Sequence, residues 1–130
     1  MKSLFALIVL CFSTLIATAQ QNIFPDINGI WTDANSAAFT NGYLIISQEG
    51  EKASMSHYLE FNGIPMVEYG VGTYLGGKVF FDVKVSKPIP GWALTGKHYL
   101  TISDDGKTLK GEYEDAKGNR GPLVFKRILK

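Results

Sequence analysis

Between residues 30 and 128 the chain is cut at short intervals by residues that tolerate a left-handed backbone. Glu49-Gly50, Asn62-Gly63, Gly76-Gly77 and Asp105-Gly106 fall between runs rich in β-branched and aromatic residues, and Lys117-Gly118-Asn119 closes the last interval. Residues of this kind make tight hairpin turns without steric strain. The runs cover residues 30–32, 43–48, 53–61, 66–74, 78–85, 98–102, 108–114 and 123–128, each of strand length. Interior glycines and prolines oppose a helix, and no stretch sustains helical periodicity. The chain is therefore expected to be all-β. Eight consecutive strands joined by hairpins form a meander, which closes naturally into an eight-stranded antiparallel up-and-down barrel. A sandwich is the rival, although it usually needs longer connections between its sheets.

Length and charge narrow the class. A chain of 130 residues supports one domain. Its 13 Lys+Arg and 12 Asp+Glu nearly cancel, so it carries no electrostatic footprint for nucleic acid. The first residues read as an address. Met1-Lys2 precedes an apolar run over residues 4–12, and Ala17-Thr18-Ala19 supplies a signal-peptidase site. A membrane span needs about 20 apolar residues, whereas Ser13, Thr14 and Thr18 interrupt this run. Residues 1–19 are expected to be a signal peptide, 20–28 a lead, and 29–130 the barrel domain. Removing 19 of 130 residues leaves 111, with 12 charges of each sign, no cysteine once Cys11 is lost, and no transmembrane segment. A secreted domain without disulfides must rely on its core. The expected location is secreted or periplasmic, in a Gram-negative bacterial envelope.

Alternation assigns an inside and an outside. Val79, Phe81, Val83 and Val85 share one face of their run, as do Met55, His57, Leu59 and Phe61 of theirs. His98, Leu100 and Ile102 form a third inward set, and Leu109, Gly111 and Tyr113 a fourth. In the 66–74 run, Val67, Tyr69 and Val71 are taken as inward, opposite Glu68. The 43–48 run is apolar on both faces and has no assigned orientation. By this parity Glu60, Glu68, Asp82, Glu112 and Glu114 face outward, and of Gly70, Gly72 and Gly111 only Gly111 faces inward. The inward set is mostly large, so any cavity is expected to be modest.

The two longest connections, 33–42 and 86–96, fall at the same end of such a barrel. Long loops in compact domains are often functional, and a cavity mouth is expected there. Pro88 and Pro90 stiffen the second connection, and Gly91 lets it turn before Trp92. Trp92 is expected either to cover a ligand or to plug the barrel end. Phe39 has the same two readings, with core packing favoured.

Gly29-Ile30-Trp31 opens the first strand and Phe125-Lys126-Arg127 closes the last. This pattern resembles the lipocalins and the broader calycin group, where a Gly-x-Trp packs beneath a late basic residue. The resemblance implies that Trp31 and Arg127 form a structural seal at the closed end, where a guanidinium can stack on an indole. Residues 100–113 resemble a hairpin of small lipocalin-like bacterial envelope proteins. The Leu109–Asn119 hairpin is also similar to that of avidin-type barrels, with no basis for carrying over biotin contacts. The chain lacks the Thr-Asp-Tyr motif and the cystines of typical lipocalins.

No catalytic motif, and hence no catalytic residue, is found. No cofactor and no metal site are expected, since only His57 and His98 are present and they lie on non-adjacent strands. Two readings remain. In the first, a small apolar or amphipathic molecule sits inside the barrel beneath both loops. Its contacts would be His57, Leu59, Phe61, Tyr69, Trp92, His98 and Tyr113, with Met55, Val83 and Leu100 in the walls. The imidazoles would hydrogen-bond a ligand carboxylate or carbonyl, or ligate haem. The blander reading of each is a hydrogen-bonded core histidine. In the second, a filled barrel acts on a protein partner through its surface, near Phe80 and Trp92.

Overall fold

The computed structural model describes residues 23–35 and 39–128, with the backbone alone at 39 and 40. The proposed signal segment and the Phe39 side chain lie outside the described residues. Eight strands follow one another: β1 (Gly29–Asp33), β2 (Phe39–Glu49), β3 (Lys52–Phe61), β4 (Ile64–Leu75), β5 (Lys78–Val85), β6 (Thr95–Ile102), β7 (Thr108–Asp115) and β8 (Arg120–Arg127). Each pairs antiparallel with the next, and β8 returns to β1 through Trp31↔Arg127, Thr32↔Lys126 and Asp33↔Phe125. The molecule is a closed all-β barrel. Among the described residues no helix is long and apolar enough to cross a membrane.

The turns follow from their residues. Gly76 and Gly77 both take positive φ between β4 and β5, as do Asn62 and Gly63 between β3 and β4, the backbone that two-residue hairpins require. Strand β2 starts earlier than its apolar run implies, and its register with β3 slips between Thr40 and Tyr43. Asn41 sits there at φ 52°, as expected of a bulge. The extension takes up much of the connection expected over 33–42.

The alternation of β3, β5 and β6 places the expected faces inward, and on β7 Leu109 is buried and Tyr113 half-buried while Gly111 is exposed. Strand β2, unassigned from sequence, turns Leu44 and Ile46 in and Tyr43 and Ile45 out. Strand β4 is in the opposite phase to expectation: Met66, Glu68, Gly70 and Tyr74 are buried, while Val67, Tyr69 and Val71 are exposed. The reason is steric. A Cβ at Gly72 would lie 1.6 Å from the Phe80 carbonyl oxygen, so β4 and β5 approach too closely there for a side chain. Gly111 is under the same constraint, 1.7 Å from the Tyr99 oxygen. Glycines in a strand mark such close approaches and the bends they permit. The backbone spacing outweighed the apolarity of Val67, Tyr69 and Val71.

One half of the barrel is filled. Trp31, Leu44, Ile46, Met55, Tyr74, Val79, Phe81, Leu100, Ile102, Leu109 and Phe125 form a continuous core. Residues 23–28 lie across this end. Ile27 is fully buried, and its N–H donates to Gln48 Oε1 at 3.0 Å. The Tyr74 hydroxyl donates to the Pro25 carbonyl at 2.6 Å. Arg127 joins the two termini of the barrel: its guanidinium lies 4.2 Å from the Trp31 ring centroid and donates to the carbonyls of Asp26, Asn28 and Gly106. Trp31 Nε1 donates to the Ile27 carbonyl at 3.2 Å. Charge-assisted bonds and a cation–π contact are lost together in Arg127→Ala, which is expected to lower the unfolding free energy by about 2 kcal/mol. Urea titration checks this, and an unchanged midpoint would contradict it.

Candidate functional site

The other half of the barrel is hollow. A cavity of about 640 Å³ opens between the β1–β2, β5–β6 and β7–β8 connections, larger than the sequence implied. Small residues make the room: Val83, Val85, Ala93, Gly96 and Gly121 line it. Its apolar wall is Leu59, Phe61, Val83, Val85, Trp92 and Leu123.

Its floor is polar, and side chains from four strands meet there. His57 on β3 and His98 on β6 are buried, with ring centroids 6.3 Å apart across the lumen. Non-adjacent strands of a closed barrel face one another across its interior. Phe125 lies edge-on to His57 at 5.3 Å and marks the boundary with the filled half. Glu68 Oε2 is 3.2 Å from His57 Nδ1. A carboxylate only accepts, so this nitrogen carries the proton of the contact. The same oxygen is 3.9 Å from His98 Nε2, and Asp33 Oδ2 is 3.8 Å from His57 Nε2. Glu68 Oε1 accepts from the Trp92 indole at 2.8 Å.

Electrostatics follow from this packing. Burial raises the Glu68 pKa most strongly, but its contacts to His57, the charge of His98 and the Trp92 N–H together carry it below the ordinary carboxylate value. Glu68 is ionised at neutral pH. Burial also opposes the charged form of His98 and outweighs the attraction of Glu68, leaving its pKa at about 4. His98 is then neutral at pH 7. Asp33 Oδ2 and His98 Nδ1 are buried with no hydrogen-bond partner among the described residues.

Six of the seven residues expected to touch a ligand line this cavity: His57, Leu59, Phe61, Trp92, His98 and Tyr113. Tyr69 does not. It stands 47% exposed on the outer wall, beside Ser56 and Lys84, because of the inverted phase of β4. Met55 and Leu100 belong to the filled half. Trp92 packs edge-on to Phe61 at 5.0 Å and joins a small cluster with Leu59, Met66 and Ile89. Phe80, expected to share a surface patch with Trp92, lies half-buried on the outer wall against Tyr99 at 5.3 Å, whereas Trp92 lines the cavity.

The expectation that every carboxylate in the strands faces outward is wrong for Glu68. Sequence reading also missed Asp33, which it placed in a loop although Asp33 is the last residue of β1. Its alternation with Trp31 was the available signal. A histidine between two carboxylates can hold a proton and orient a polar guest. Among the described residues, the hydroxyls on the lining belong to Thr95 and Tyr113, and no serine or cysteine lies there. Among the described residues no cluster of three or more His, Cys, Asp or Glu is arranged to hold a metal ion. No protein-family model matches the chain, and a comparison with curated proteins gives no significant match.

Proposed function

We propose that this protein binds a small apolar or amphipathic molecule inside its barrel and performs no chemistry on it. The observation that carries the reading is the open cavity of about 640 Å³, with an apolar wall over a buried polar floor. Pockets that hold small ligands fall in this size range and combine apolar walls with a few polar groups. The lipocalin resemblance of Gly29-Ile30-Trp31 and Arg127, and the signal-like residues 1–19, support a secreted or periplasmic carrier. The test is native mass spectrometry of the protein purified without detergent or organic solvent. An additional mass that solvent extraction removes, and that Trp92→Ala and His98→Ala fail to retain, is the expected result. A bare mass that persists after incubation with lipid extract would overturn the reading.

A second reading, action through the surface on a protein partner, has one observation in its favour. The outer wall of β1 to β4 exposes Ile30, Tyr43, Ile45, Tyr58, Val67 and Val71. Register places Ile30 beside Ile45, and Tyr43 beside Tyr58 and Val67. The same mass spectrum distinguishes the readings, since a partner would add the mass of a protein.

A further inference from the structure

The floor of the cavity holds more negative charge than positive. Asp33 and Glu68 supply two carboxylates whose side chains are 4% and 8% exposed. Desolvation keeps the opposing His98 imidazole neutral at pH 7. A proton on both nitrogens of His57 would serve both carboxylates, and the four groups would still sum to one net negative charge. Buried charge left without a counter-charge is strongly unfavourable. The rim does not supply one. Arg120 is paired with Glu114 at 2.7 Å, and Lys97 Nζ lies 6.0 Å over the Phe80 ring on the outer wall.

A second observation is independent of this charge count. Asp33 Oδ2 and His98 Nδ1, both on residues lining the cavity, have no hydrogen-bond partner among the described residues. Asp33 Oδ2 accepts. The Glu68 carboxylate faces His98 Nε2 and favours the proton on that nitrogen, which leaves Nδ1 as an acceptor too. Buried polar atoms are nearly always satisfied, and both of these acceptors call for a donor. An ammonium offers three donors and no acceptor. A carboxylate or a phosphate would meet like charge and two acceptors.

We infer that the guest is an organic cation, a protonated amine that donates to Asp33 and His98 while its apolar part lies against Leu59, Phe61 and Trp92. This rests on the cavity being a ligand site, as proposed above, and specifies the head group it selects.

The experiment is titration calorimetry at pH 7 on the full chain as purified, with octylamine, octanol and octanoate as probes of equal length. Octylamine is expected to bind at least tenfold tighter than octanol, with octanoate weakest. Asp33→Asn should reduce the octylamine affinity at least tenfold and leave octanol unaffected. Glu68→Gln serves as the second variant, and thermal unfolding shows whether each is folded. If octanol binds as tightly as octylamine, or octanoate binds tightest, the cation inference fails while the cavity remains a ligand site. If none of the three binds, the inference and the binding function fail together.

Discussion

Replacing Trp31 by alanine is expected to lower the unfolding free energy by about 3–5 kcal/mol, as for other large aromatic side chains deleted from a core. Trp31 is fully buried among Ile27, Leu44 and Phe125 at the filled end. Its deletion removes apolar contact, opens a void that the closed sheet cannot collapse to fill, and strips the guanidinium of Arg127 of its ring. The urea midpoint should fall at constant slope, since the surface exposed on unfolding changes little. The stack links Trp31 to Arg127, so the loss in the double alanine variant should be smaller than the sum of the two single losses. A Trp31→Ala loss below about 1 kcal/mol, or strict additivity, would show that the two residues do not act as one unit.

Acid is the second strong perturbation. His98 titrates near 4 in the folded protein, against 6.5 for an ordinary imidazole. Between these values the unfolded chain binds the proton and the folded chain does not. Stability is therefore complete above pH 6.5 and declines as the pH falls toward 4, by about 3 kcal/mol for a shift of this size. Glu68, with its pKa held below the usual value, adds loss of the same sign at still lower pH. Urea unfolding at pH 7, 5.5 and 4 measures the slope. His98→Leu removes the titrating group and should flatten the curve over that interval. An equally steep curve in the variant would assign the acid sensitivity to other groups.

Both expectations depend on which face each strand turns inward, and the sequence was unevenly legible on that point. Where polar residues mark the outside, as Ser54, Ser56 and Glu60 do on β3, alternation places His57 and Leu59 correctly. Strand β4 misleads because Glu68, Gly70 and Gly72 hold the inward positions between Met66 and Tyr74, while the outward ones are held by Val67, Tyr69 and Val71. Composition reads that as the wrong phase, since the spacing that excludes a Cβ at Gly72 belongs to the neighbouring strand. The same inversion hid half of the site. Glu68 ties together both imidazoles and the Trp92 indole, yet nothing in its local sequence distinguishes it from a solvated glutamate. The histidines were legible through the pattern of their neighbours, and Trp92 through the stiff loop that carries it. The hollow itself was not, because it arises from small residues on several strands that come together only when the sheet closes.

That closure has a consequence in time. Arg127 Nη1 bonds the carbonyl of Asn28, 99 residues earlier in the chain, and β1 is completed only by pairing with β8. Contacts of such long sequence separation slow the approach to the native state. During synthesis the hairpins from β2 to β7 can form in order as they emerge. The first strand can pair early with β2, but its tryptophan is covered only when β8 brings Phe125 and Arg127 against it. The nascent chain therefore carries its largest fully buried ring exposed for almost the whole of its elongation. Protection of that early segment, more than the final stability of the barrel, should decide how much of the protein reaches its folded form.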